Sequence, residues 1–132
     1  KNFRENKNIV NLGPQLIEDC PKLYDNVDAM FLPTLLETFS ASYPEAMKME
    51  RPILTSELDF AHDICGEAAL YFNPLDSFDI ANKIKTIITD PILYQDLVDK
   101  GKNRLKNFET SESRAKKYLI CCEKIIESNR EN

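Results

Sequence analysis

The sequence predicts an α/β domain: a partial, doubly wound parallel sheet of about four strands, followed by three packing helices at its C-terminal end. Three observations carry this expectation. Short apolar runs alternate with helix-start signals through the first half. Each run closes on a turn residue, and the second half shifts to 3.6-residue periodicity.

The runs are Asn8-Ile9-Val10-Asn11-Leu12, Ala29-Met30-Phe31-Leu32-Pro33, Ile53-Leu54-Thr55-Ser56 and Ala69-Leu70-Tyr71-Phe72, closed by Gly13, Pro33, Ser56 and Asn73-Pro74. Runs this short and this continuously apolar suit strands covered on both faces of a parallel sheet. Parallel neighbours require right-handed crossovers, and the helix starts fall where those must run. Asp19-Cys20-Pro21 opens a helix ending at Asn26, and Ser42-Tyr43-Pro44-Glu45 reads as a capping box ahead of Ala46, Met47 and Met49. A shorter helix over residues 60–65 stops at Gly66.

In the second half, Ile80, Ala81, Ile84, Ile87 and Ile88 share one helical face after Ser77. Asp90-Pro91 caps a second helix with a stripe of Leu93, Leu97, Gly101 and Leu105. A third begins near Ser111 and places Ala115, Tyr118, Leu119, Cys122, Ile125 and Ile126 on one side. All three read as packing helices with charged outer faces.

A chain of 132 residues holds one domain with a real core and is too short for two. No segment approaches the ~18 to 20 consecutive apolar residues that span a bilayer. The net charge of −5 excludes a binder of the nucleic-acid backbone, since such a surface repels a polyanion. The four cysteines, Cys20, Cys65, Cys121 and Cys122, form no C-x-x-C pair and stand beside a single histidine, His62, so no zinc-ligand spacing exists. They read as reduced cytosolic thiols, with Cys65 and Cys122 acting as small hydrophobes. The opening Lys1-Asn2-Phe3-Arg4 has neither an initiator methionine nor a secretory leader, which reads as a piece of a longer, cytoplasmic protein.

With three glycines in the chain, neither a Walker A loop nor a G-x-G-x-x-G fingerprint follows any strand. Ligands of open α/β sheets bind beyond the carboxyl ends of the strands. The most unusual segment there is Pro33-Thr34-Leu35-Leu36-Glu37-Thr38-Phe39-Ser40-Ala41, which leads from a strand into the Ser42 helix. A glutamate, small hydroxyl residues and a helix N-terminus suit a sugar carried on a diphosphate. Carboxylate oxygens accept from vicinal hydroxyls, and free amides hold phosphate oxygens.

Glu37 and Glu45 stand as E-x(7)-E, a spacing that Glu123 and Glu131 share. In its setting the first pair resembles the signature of the glycosyltransferase group 1 family, retaining enzymes of the GT-B fold with two Rossmann-like domains. Other segments resemble the family in the same order. These are residues 8–13, Leu23-Tyr24-Asp25-Asn26-Val27-Asp28-Ala29, Glu45-Ala46-Met47, Arg51-Pro52-Ile53-Leu54-Thr55-Ser56 and residues 66–76. The likeness runs to about Phe108.

The resemblance implies that residues 1–132 are an incomplete C-terminal donor-binding domain. Its sheet would have the order 3-2-1-4-5-6, with the first two strands and the N-terminal acceptor domain lying outside the chain. Glu37 is the implied catalytic-site residue, contacting donor-sugar hydroxyls. Thr38, Phe39, Ser40 and Ala41 would present amides to the sugar and distal phosphate, Glu45 would accept from the ribose, and Gly13 and Pro14 would lie beside the base. The substrate would be a UDP- or GDP-sugar, with no metal or other cofactor. Implied partners are that donor and an acceptor bound through the other domain. The whole enzyme would serve polysaccharide biosynthesis from the cytoplasm, with a peripheral membrane association open to it.

Glu45 also fits the partner role in a Ser42 capping box, and the family resemblance favours the ribose role. Asp63 falls where the family has an acidic residue near the cleft, while His62 reads as a surface histidine. Relatives carry glycine where this chain has Thr38 and Ser40, which narrows the loop or lends it hydroxyl contacts. The family's diphosphate-clamping lysine and arginine would precede Lys1. Two rival readings are a GT-B sugar-nucleotide epimerase and a non-catalytic α/β interaction module. Finally, without its first strands the sheet would leave one flank of the Ala29-Pro33 strand unpaired. Residues 8–12 are then expected to move in beside it or to pair with a second copy of the chain.

Overall fold

The computed structural model describes residues 6–130, so Lys1 to Arg4 and Glu131 lie outside the described residues. Three strands form, β1 (Met30–Leu32), β2 (Ile53–Ser56) and β3 (Ala69–Phe72), all parallel and in the order β1-β2-β3. The register sets Leu32 beside Thr55 and Thr55 beside Tyr71. Since side chains alternate along a strand, Met30, Ile53, Ala69, Leu32, Thr55 and Tyr71 share one face, and Phe31, Leu54, Leu70 and Phe72 the other.

Six α-helices among the described residues follow the expected order, the first preceded by a single 3-10 turn at Ile17–Asp19. They are α1 (Cys20–Asp25), α2 (Ser42–Lys48), α3 (Asp59–Cys65), α4 (Ser77–Thr89), α5 (Pro91–Leu105) and α6 (Ser111–Arg130). Tyr43, Ala46 and Met47 of α2 and Ala61, Ile64 and Cys65 of α3 cover the first face. Ile80 and Ile87 of α4 and Leu93, Tyr94 and Leu97 of α5 cover the second, around Leu54 and Phe72. Each large side chain removed from water in this way contributes about 1.5–3 kcal/mol.

Helix starts follow local chemistry. The Asp76 carboxylate accepts from the amides of Phe78 and Asp79, and that of Asp90 from Ile92 and Leu93, with Pro91 in the first turn of α5. Helix α3 ends on Gly66 at φ +56°, a conformation that glycine adopts without strain. At the end of α2 the equivalent left-handed position is held by Glu50, also at φ +56°. The amide of Arg51 bonds the Ala46 carbonyl and that of Glu50 the Met47 carbonyl, a Schellman closure.

Helix α5 passes along the edge at which the strands begin. Near its start Tyr94 Oη donates to the Asp28 carbonyl just ahead of β1, and near its end Arg104 donates to the carbonyls of Asp63 and Ile64 ahead of β3. Its first half packs with one face of the sheet and Leu105 with the other, Gly101 lying against Met47 of α2. The edge at which the strands end stays free of this helix.

Three expectations are corrected. The first of the four strands does not form: residues 8–12 are exposed, Ile9 bonds back to Asn6, and Asn11 Oδ1 takes the Gly13 amide. A strand buried on both faces needs neighbours on the sheet, and residues 8–12 have none. They do not fill the flank of β1, which stays an edge strand. Nor is there a capping box: Ala41 is the N-cap of α2, Ser42 is already helical, and no side-chain cap bond forms. The third correction concerns α6, which packs none of its expected stripe. Cys122, expected in apolar surroundings, is exposed, whereas Cys65 is buried as expected.

Candidate functional site

The loop of residues 33–41 leaves β1 at the carboxyl edge of the sheet and enters α2. No amide of residues 34–41 donates to a protein acceptor among the described residues, although the Ser40 and Ala41 carbonyls accept from Tyr43 and Glu45. Most of these residues are exposed, so the amides are open to solvent and free to hold an anionic or hydroxyl-rich ligand. Glu37 sits half-buried in this loop and makes no hydrogen bond or ion pair among the described residues. Thr34 Oγ1, in the same loop, is buried without a partner. Helix α2 has seven residues, so its dipole adds little beyond the first turn.

The structure also shows what braces the loop. The Phe39 ring, expected only to contribute an amide, packs at 6.4 Å on Phe108 beyond α5. Tyr43 of α2 is fully buried and its hydroxyl lies 2.8 Å from Thr55 Oγ1, which in turn donates to the Leu32 carbonyl at 3.1 Å. Burial raises the Tyr43 pKa, and the Glu37 charge adds to it against the opposing Thr55 hydrogen bond. The hydroxyl therefore stays protonated.

Glu45 is exposed on α2, and its surroundings replace the expected capping box. Tyr24 Oη of α1 lies 3.5 Å from Glu45 Oε2 and 3.4 Å from the Ser42 carbonyl, long contacts that share one proton. Burial first, then the Glu45 charge, pushes the Tyr24 hydroxyl up to about 12, so it serves as a donor. Arg51 holds α1 in place by donating Nε to the Tyr24 carbonyl at 2.7 Å and Nη2 to that of Asp25. A groove of 230 Å³ opens beside Glu45, lined with Ile17, Cys20, Pro21, Tyr24, Lys48 and Met49. Gly13 and Pro14 do not line it: they are exposed, Gly13 at φ +67°. None of Tyr24, Tyr43, Thr55 and Phe108 carries a site signal in the sequence: Tyr24 and Tyr43 read as core aromatics on helices, Thr55 as one residue of a buried strand, and Phe108 as an aromatic between two helices.

His62 and Asp63 part company. His62 Nε2 pairs at 2.5 Å with Glu57 Oε1 and stacks on Tyr71 at 3.9 Å, beside the carboxyl end of β2. Asp63 lies toward the other end of α3, where its carbonyl accepts from Arg104, so the acidic residue beside His62 at the carboxyl end of β2 is Glu57. No group of three or more His, Cys, Asp or Glu side chains among the described residues could hold a metal ion.

Residues 1–90 match the family described as "Glycosyl transferases group 1". The capsular polysaccharide biosynthesis glycosyltransferase CapM of Staphylococcus aureus is 29% identical over 105 residues, covering 78% of this chain and 27% of that protein. Sucrose-phosphate synthase from Thermosynechococcus elongatus superposes with a TM-score of 0.70 at 22% identity, covering 80% of this chain and 27% of that one. At that identity the likeness is one of fold. The chain thus spans 27% of the length of each.

Proposed function

Because the chain belongs to the glycosyl transferases group 1 family, we propose that it supplies the donor-sugar site of a retaining glycosyltransferase that uses a UDP- or GDP-sugar. One observation carries the reading: at the carboxyl edge of the sheet, a run of unpaired amides over residues 34–41 stands with a free carboxylate, Glu37. Glu37 accepts from hydroxyls of the donor sugar, and the amides of Thr38, Phe39, Ser40 and Ala41 take the sugar and distal phosphate. The ribose goes to Glu45 beside Tyr24, with Gly13 and Pro14 toward the base.

The chemistry is electrostatic. Negative charge grows on the leaving diphosphate, and donors already oriented toward it lower the barrier without reorganising. The reading assigns this chain no metal and leaves the acceptor, and further basic residues for the diphosphate, to other parts of the protein. The CapM likeness favours a product in polysaccharide biosynthesis. No helix among the described residues is long and apolar enough to cross a membrane. A cytoplasmic, peripheral place for the whole enzyme follows as part of the proposal.

The test is a donor screen on the full-length protein, measuring release of free nucleotide from UDP- and GDP-sugars with and without acceptors, together with Glu37→Gln. Weakening one charged hydrogen bond of about 1.5–3 kcal/mol lowers turnover roughly 10- to 150-fold with the fold intact. Wild-type turnover in Glu37→Gln would sink the assignment.

A further inference from the structure

The two ends of the loop of residues 33–41 are joined through a buried relay that the loop itself does not contain. Leu32 is the last residue of β1 and Tyr43 the second of α2, so everything between them, Glu37 included, belongs to one excursion from the sheet. Thr55, on β2, sits between these ends with 0% exposure, as does Tyr43. Its hydroxyl is 2.8 Å from Tyr43 Oη and 3.1 Å from the Leu32 carbonyl. A hydroxyl has one proton. With Thr55 donating to the carbonyl, Tyr43 must donate to Thr55, and the relay runs in one direction only, Tyr43 to Thr55 to Leu32.

We propose that Thr55 and Tyr43 are positioning residues for sugar transfer, which hold the entry and exit of the Glu37 loop at a fixed separation through this relay. The inference rests on the donor-site reading given above. Its physical basis is the lack of internal support: with no amide of residues 34–41 bonded to another group among the described residues, the position of Glu37 is set by where the loop is anchored. Those anchors are the relay and the Phe39–Phe108 contact. Catalytic geometry is intolerant of small displacements, so an anchor that touches no substrate still governs rate. The neighbouring hydroxyl on β2, Ser56 Oγ, is equally buried and has no hydrogen-bond partner among the described residues, so hydroxyl burial on this strand does not by itself produce a relay.

The test uses the full-length enzyme, at a temperature well below the melting point of every variant. Thr55→Val keeps the shape but removes both bonds, Tyr43→Phe removes one, and Thr55→Ser keeps the hydroxyl. The expected order is a kcat lowered about 10-fold or more in Thr55→Val, a smaller loss in Tyr43→Phe, and a return to within about threefold of wild type in Thr55→Ser. Affinity for UMP or GMP alone stays within about twofold in all three, since a nucleoside monophosphate lacks the sugar and distal phosphate that the loop amides take. A merely structural role would leave kcat per folded molecule unchanged, or lower nucleotide affinity in parallel, and either result overturns the proposal. Where Thr55→Val does not accumulate folded, Tyr43→Phe decides: wild-type kcat refutes the relay, and a reduced kcat at unchanged nucleotide affinity supports it. Glu37→Gln run alongside separates the two claims. If it is impaired while Thr55→Val is not, only the relay fails; if both behave as wild type, the donor-loop reading fails with it.

Discussion

Helix α5 sets leucine at 93, 97 and 105 around Gly101, and α6 sets apolar residues at 115, 118, 119, 122, 125 and 126, yet only the first stripe is covered. Leu97 and Val98 are 4% exposed, whereas Tyr118 and Leu119 of α6 are 68% and 64% exposed. The difference lies in what each helix meets. Helix α5 finds Met47 of α2, the Leu54–Phe72 cluster and carbonyl acceptors for Tyr94 and Arg104 at the edge of the sheet. Helix α6 begins with the Ser113 amide donating to Thr110 Oγ1 and then runs on its own ion pairs, such as Lys116 with Glu112. Amphipathicity states that a face requires cover and is silent on whether the same chain supplies it.

Thiol chemistry separates the two regions most sharply. Burial pushes the Cys65 thiol up to about 12, while Cys121 and Cys122 lie exposed on α6. Since the thiolate is the reacting species, a disulfide reagent at neutral pH is expected to label the α6 pair at least roughly a thousandfold faster than Cys65. Comparable rates, read by mass spectrometry of the labelled peptides, would mean that the core around α3 opens as freely as α6.

Truncation comes next. Leu97→Ala is expected to lower unfolding free energy by about 2–5 kcal/mol, and Leu119→Ala by no more than about 0.5 kcal/mol. Urea denaturation of both variants checks the pair. A large loss at Leu119 would show that α6 covers its stripe in solution.

The two glutamate spacings sharpen the contrast in function. Glu45→Ala in the full-length enzyme should weaken nucleotide binding by about 1.5–3 kcal/mol, and Glu123→Ala on α6 by less than about 0.5 kcal/mol. Equal effects in a nucleotide titration would remove the reason for preferring the first pair.

The smallest effect is expected at the contact between α5 and α2. A Cβ added at Gly101 would meet Met47 Cγ at 3.5 Å, an ordinary van der Waals distance. Gly101→Ala is therefore expected to stabilise the protein by roughly 0.5–1 kcal/mol through helix propensity. A lowered melting temperature would show that the helices approach more closely than this distance allows.

By itself the sequence determined what local chemistry decides. Asp90 announced the start of α5 through a carboxylate that caps the next amides, and Gly66 the end of α3 through its left-handed φ, whereas the Asp76 cap of α4 emerged only in the structure. The three apolar runs that became β1, β2 and β3, and the position of the Glu37 loop after the first, were equally legible, because a strand covered on both faces leaves little room for polar residues. Tertiary structure alone decided the rest. Residues 8–12 have the composition of a strand and no neighbour to pair with, Ser42 and Glu45 have the spacing of a capping box in a helix that begins one residue earlier, and α6 has a stripe without a partner. The relay through Thr55 joins residues 32, 43 and 55, brought together only when β1, β2 and α2 stack. Spacing along a chain encodes periods and caps, whereas a hydrogen bond between distant hydroxyls exists only after the backbone has already folded around it.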